Sequence, residues 1–137
     1  MKLIPVSEHP DAARILYQLL EERDPIVNIS HRAMPTWEEH LAFIASNPYL
    51  AWYIVRGEGG NDAGAVYITH AGEIGVGILK QFQGLFLGPM AVRQIMKRHP
   101  RERFLANVGP RNIFSRRMFE KLGFVHIQDT MELRNAD

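Results

Sequence analysis

Residues 73–92 read EIGVGILKQFQGLFLGPMAV, and residues 107–124 read NVGPRNIFSRRMFEKLGF. The first stretch is a β-branched, glycine-spaced strand over Glu73–Leu79, a turn through Gln81-Phe82-Gln83-Gly84, and an apolar helix beginning near Leu85. A turn that feeds straight into a helix leaves the first N–H groups unpaired and facing outward. With the helix dipole behind them, they form a ready anion site. Gly84 lets the backbone approach a phosphate closely, and Pro89 falls near the first helical turn, where its missing N–H costs least. The second stretch continues a strand expected over Phe104–Val108 into a Gly-Pro turn. A helix capped by Asn112 then runs to Leu122 and stops at Leu-Gly-Phe.

Working outward, Lys2–Val6 reads as a short strand, and Asp11 as the cap of a helix to about Arg23. Residues 24–35 read as irregular. Thr36 and Glu39 make a capping box for a helix over Trp37–Ser46. Strands follow at Leu50–Val55 and Ala63–Thr69, the latter joined to Glu73–Leu79 through a tight hairpin at His70-Ala71-Gly72. Gly84–Arg98 is helical, and Val125–Leu133 supplies the last strand or strands. The order β-α-α-β-β-β-α-β-α-β is an α/β pattern with an antiparallel first half and crossovers in the second.

With 137 residues, 46% of them hydrophobic and 23% charged, the chain suits one globular domain spanning 1–137. No apolar run approaches the roughly 20 residues of a membrane span. Residues 1–5 lack the apolar core of a signal peptide, so a cytoplasmic location is the default expectation. The absence of Cys excludes disulfides, thiolate metal sites and Cys nucleophiles, and the six His show no metal-ligand spacing. The net charge of +1 conceals a polarity. Residues 1–75 hold 5 Lys/Arg against 10 Asp/Glu, and residues 76–137 hold 11 against 5. A basic half suits a polyanionic ligand or is merely a solvated face.

The order of strand, Q-x-x-G turn, helix, strand, N-x-x-S helix and LGF resembles the cofactor-binding half of the GNAT N-acetyltransferase family, and the element order extends the resemblance over nearly the whole chain. It implies an α/β fold with a mixed, mostly antiparallel sheet, flanked by helices and splayed between Glu73–Leu79 and Phe104–Val108. Acetyl-CoA would enter that cleft as cosubstrate, with no metal. The implied cofactor contacts are Val76 and Ile78 on the strand and Gln83, Gly84, Leu85, Phe86, Leu87 and Gly88 at the turn. Asn107, Asn112, Ser115 and Phe119 complete the set. Arg111, Arg116 and Arg117 flank the second helix, to meet phosphate or solvent.

Two positions depart from the family pattern. Phe86 replaces the last Gly or Ala of Q/R-x-x-G-x-G/A, and Phe119 replaces the Tyr that often protonates the departing thiolate. Tyr67 and Tyr53, on neighbouring strands, are substitute proton donors. Glu73 matches the Glu that opens this strand in the histone-acetyltransferase branch, and a carboxylate there can take a proton from an ammonium. His70, His31, Glu38 and Glu39 are weaker base candidates. The reading is direct acetyl transfer to a primary amine, catalysed by Glu73 and Tyr67. Alternatives are a non-catalytic CoA-binding module and a GNAT-like protein acting on nucleic acid, the latter not favoured. The segment after Phe124 is short for the family's two strands, which suggests an edge that pairs with a second chain as a homodimer.

Overall fold

Alternating Ile, Val and aromatic residues build four strands, paired antiparallel in chain order: β1 (Lys2–Pro5), β2 (Ala51–Arg56), β3 (Asp62–Ile68) and β4 (Ile74–Ile78). The structure is a computed structural model that describes residues 1–23 and 33–135. The register sets Trp52 opposite Tyr67 and Tyr67 opposite Gly75. Period-two alternation then divides the sheet into two faces.

One face carries Ile54 and Ala65, packed against Ile15, Leu16 and Leu19 of α1 (Ala12–Glu21) and Ile44 of α2 (Trp37–Ala45). The other carries Val55, Val66, Ile68 and Ile74 under α3 (Leu87–Arg98) and α4 (Ile113–Lys121). On α3, Leu87, Ala91, Val92 and Ile95 recur at helical spacing and are all buried. The sheet is therefore sandwiched between two helical layers.

The capping box at α2 forms as its sequence predicts. Thr36 Oγ1 accepts from Glu39 N–H at 3.1 Å, and Glu39 Oε1 accepts from Thr36 N–H at 2.9 Å. The Asp11 side chain, by contrast, makes no cap bond, and its own N–H donates to His9 Nδ1 at 3.0 Å. That bond leaves the His9 proton on Nε2, which donates to Asp62 Oδ2 at 2.8 Å and ties the N-terminal segment to the β2–β3 hairpin. His40 does similar work between α1 and α2, donating from Nε2 to the Ala13 carbonyl at 2.7 Å.

Two strand expectations are corrected. Phe104–Val108 forms no full strand and meets β4 through one parallel bridge, Glu73 with Leu105. Leu105 N–H donates to Gly72 O at 2.9 Å and Ile74 N–H to Leu105 O at 2.8 Å. Phe104, Ala106 and Val108 bury into the α3/α4 core, so the segment is held by its side chains while β4 diverges from it. Val125–Leu133 also forms no strand: Val125, Ile127, Met131 and Leu133 alternate around an in-phase Asp129, but no backbone among the described residues pairs with them. The helix expected from Gly84 starts at Leu87 instead, because a 3-10 turn over Lys80–Phe82 and a left-handed Phe86 intervene.

Candidate active site

The divergence of β4 from Phe104–Val108 produces the site. Thr69 N–H donates to Glu73 O at 2.9 Å, and Leu79 N–H to Ala63 O at 2.8 Å. Antiparallel alternation then turns the backbone groups of Gly75 and Gly77 toward β3, and those of Ile74, Val76 and Ile78 away from it. Ile74 is used by the bridge, and Ile78 O accepts from Gln83 Nε2 at 3.0 Å. Among the described residues, the Val76 N–H and C=O and the Ile78 N–H have no partner along this open edge.

At one end of that edge lies the turn into α3. Among the described residues, the N–H groups of Gly84, Leu85, Phe86, Leu87 and Gly88 have no protein acceptor, and Pro89 has no N–H to satisfy. Neither a side-chain cap nor a first-turn acid serves this helix, in contrast to α2, which is capped by Thr36, and α4, which is capped by Asn112. Gly84 has φ 85° and Phe86 φ 60°, so both bend the backbone through the left-handed region and face its N–H groups outward. Leu85 and Phe86 side chains are exposed, whereas Leu87 and Gly88 are buried. Glu22, 58 residues away in sequence, braces the loop by accepting from Lys80 N–H at 2.8 Å. A donor set made wholly of N–H groups fits a pyrophosphate.

At the other end stands Glu73. Asn107 Nδ2 donates to Glu73 Oε2 at 2.6 Å across the splay, and Thr69 Oγ1 lies 3.4 Å from Oε1 while accepting from Glu73 N–H at 2.9 Å. Asn107, expected against the cofactor, thus has its side-chain amide on Glu73. Tyr67 shares the face of Glu73. Its ring stacks on Tyr49 with centroids 3.9 Å apart and planes 7° apart, and Tyr49 meets Trp52 edge-on at 4.8 Å. Burial, with Tyr67 beside it, pushes the Tyr49 phenol up to about 12. Burial also raises Tyr67, and the Glu73 charge adds to it. Both phenols therefore stay protonated at neutral pH.

The remaining candidates separate cleanly. Asn112 Oδ1 accepts from Ser115 N–H at 3.1 Å, so Asn112 caps α4 and Ser115 is its partner. Phe119, placed with the cofactor contacts by resemblance, is 6% exposed in the core, edge-on to Phe124 at 5.0 Å. Tyr53, the other substitute acid, points to the α3 side of the sheet and bonds His99 Nε2 at 2.7 Å, away from Glu73. Glu38, Glu39 and His70 are exposed, with Glu39 held in its capping box, and His31 lies outside the described residues. Arg111, Arg116 and Arg117 are exposed and make no ion pair among the described residues. No metal-ligand cluster of His, Asp or Glu occurs among the described residues.

Sequence reading missed Glu22 and Thr69. Thr69 was within reach, since a Thr four residues before Glu73 across a tight turn can bond back to it. Glu22 carries no local signal, because its partner is set by tertiary packing.

Comparison with known proteins agrees with the fold. The chain resembles in fold a domain from Methanocaldococcus jannaschii (TM-score 0.71, 23% identity, 87% of each chain covered). It also resembles an aminoglycoside antibiotic 6'-N-acetyltransferase from Acinetobacter haemolyticus (0.68, 13%, covering 100% of this chain and 99% of that one). A Trypanosoma brucei acetyltransferase superposes at 0.59 with 15% identity, over 98% of this chain and 97% of that one. No protein of curated function matches the sequence. The family profile described as acetyltransferase (GNAT) domain matches residues 1–125, which is most of the chain, and the protein belongs to the GNAT acetyltransferase family.

Proposed function

We propose that the protein transfers the acetyl group of acetyl-CoA directly to a primary amine, with Glu73 as base and Tyr67 as proton donor. The observation that carries this reading is the continuity of the open β4 edge. It runs from the unpaired N–H groups of residues 84–88 at one end to the Glu73 carboxylate at the other. The N–H cradle suits a pyrophosphate, and Val76 presents an amide edge to which an extended amide-bearing arm can add as a strand would. Bound acetyl-CoA supplies an activated thioester.

The side chains then handle protons. Glu73 takes a proton from the substrate ammonium, directly or through water, and frees the nitrogen lone pair. Glu73 passes that first proton to water; as the new C–N bond forms and the C–S bond breaks, Glu73 takes the second proton from the nitrogen, and the Tyr67 hydroxyl donates its proton to the departing sulfur. The proton held by Glu73 then returns to the tyrosinate, restoring both groups. The raised Tyr67 phenol keeps its proton in reserve at neutral pH. An amine acceptor is supported by the acidic N-terminal half and by the name of the N-acetyltransferase neighbour. Use of acetyl-CoA goes with a cytoplasmic setting.

The test is thiol release from acetyl-CoA across an amine panel, run beside Glu73→Gln. Turnover with at least one amine is expected, falling roughly 100-fold or more in the variant while acetyl-CoA binding is retained. Unchanged turnover in Glu73→Gln would remove the assigned base. CoA binding without thiol release on any amine would leave a non-catalytic module.

A further inference from the structure

We infer that the acceptor is a primary amine carrying a flat aromatic group, received by a ledge of rings from Phe43, Tyr49 and Trp52 beside Glu73. The inference rests on Glu73 as the base of the proposed transfer and names the class of amine. It begins with where the chain puts its large rings. Phe43 stands in the last turn of α2, Tyr49 in the connection to β2, and Trp52 near the start of β2, opposite Tyr67 on β3. Phe43 meets Tyr49 and Trp52 edge-on, each at 6.0 Å, and Tyr49 joins the group to Tyr67 by stacking.

These rings are not core filling. Phe43, Tyr49 and Tyr67 belong to neither buried cluster, and only Trp52 packs against one. Phe43 is 46% exposed. Tyr67 itself is covered by the Tyr49 ring and by the β4 backbone at Gly75, so the surface left for a ligand is Phe43 with the flanks of Tyr49 and Trp52. On β4, Gly75 makes the room that lets the Tyr67 ring lie next to Glu73, two residues away on the same face. The ledge therefore reaches the carboxylate.

The chemistry along it favours one kind of amine. The acids of α2, Glu38 and Glu39, stand in its first turn, at the other end from Phe43, and Glu39 is held in its capping box. A polyhydroxylated amine would set its hydroxyls against rings that offer them few hydrogen-bond partners, and each polar group so covered is costly. An aromatic group instead meets Phe43 and Trp52 as those rings already meet each other, edge to face. Its ammonium then lies between a carboxylate and aromatic rings, both of which attract a cation.

The full-length chain is tested with 2-phenylethylamine, glucosamine and ethanolamine, by thiol release from acetyl-CoA and by calorimetric titration of each amine into the chain saturated with CoA. We expect kcat/KM for 2-phenylethylamine to exceed that for glucosamine by about tenfold or more. Phe43→Ala removes a half-exposed ring and keeps a good helix former. It should raise KM for 2-phenylethylamine about tenfold, with kcat, KM for acetyl-CoA and the rate with ethanolamine unchanged. If that variant loses its far-UV spectrum, Phe43→Leu takes its place, with an expected rise of about threefold. A preference for glucosamine overturns the aromatic acceptor and leaves acetyl transfer standing, as does a variant that loses equally on all three amines. Absence of thiol release with every amine counts against the transferase reading, and the titration then decides the site. Binding of 2-phenylethylamine that Phe43→Ala weakens sustains the ledge, and no binding overturns it.

Discussion

Phe86 shows how one residue can oppose local preference at a binding loop. Its φ of 60° is left-handed, its ring is 78% exposed, and it is the N-cap of α3 without a side-chain acceptor. An L-residue there costs about 1–2 kcal/mol, and the exposed ring recovers little by burial. Phe86→Gly should raise stability by about 0.5 kcal/mol after the extra unfolded-state entropy of glycine is counted. It should also tighten acetyl-CoA binding by opening the approach to the N–H cradle. Thermal unfolding and calorimetric titration read the two effects, and weaker binding would mean that the ring itself grips the ligand.

Asp62 is the contrasting case, where conflict is resolved by pairing. Burial pushes its carboxyl up, but bonds from Arg56 at 2.9 Å and His9 at 2.8 Å outweigh it and hold the pKa below the ordinary value. A depressed folded value means that the contribution is fully present above the unfolded carboxylate pKa near 4. It is lost as pH falls through the folded value. Asp62→Asn should therefore flatten the acid limb of the stability profile below about pH 4, and cost about 1–2 kcal/mol at neutral pH by weakening the partners of a buried His9. Urea unfolding at several pH values measures both; an acid limb identical to that of the unmodified chain would count against the pairing.

At the scale of elements, packing turns Gly75 into a requirement. A Cβ at Gly75 would lie 2.2 Å from Tyr67 Cζ, so the ring lies directly over the β4 backbone. Because the obstructing atoms belong to a side-chain end, Gly75→Ala should displace Tyr67 from Tyr49 more than it splits the sheet, at a cost of about 1–3 kcal/mol. Loss of near-ultraviolet dichroism, together with tyrosine ionisation below the value of about 12 at Tyr49, is the expected readout. Unchanged spectra would show that β4 yields instead.

The same scale explains what the sequence could and could not disclose. The α2 box and the Asn112 cap depend on residues three apart, and both appear as read. Gln83 and Glu73 lie at the two ends of β4 as their local pattern places them, but their partners Ile78 O and Asn107 depend on how the chain closes. The Val125–Leu133 pattern is a correct description of an amphipathic segment and still fails as a strand assignment. Pairing is a property of two segments, and alternation describes only one.

For the whole molecule, the charge polarity along the chain becomes a polarity across the sheet. The helices α1 and α2 carry Glu21, Glu38 and Glu39 against Arg14, while α3 and α4 carry Arg93, Lys97, Arg98, Arg116, Arg117 and Lys121 against Glu120. Glu73 and Tyr67 face the acidic layer, whereas the α3 N-terminus belongs to the basic one. A cationic acceptor and an anionic cosubstrate would thus approach from sides of matching electrostatic preference. Arg116→Glu/Arg117→Glu should raise KM for acetyl-CoA about tenfold, equivalent to about 1.4 kcal/mol. It should steepen no salt dependence and leave KM for the amine unchanged. Steady-state kinetics with each substrate varied in turn, at low and high salt, separates the outcomes. Equal rises in both KM values would mean that the two layers do not divide the substrates, and the polarity would then be a matter of solubility alone.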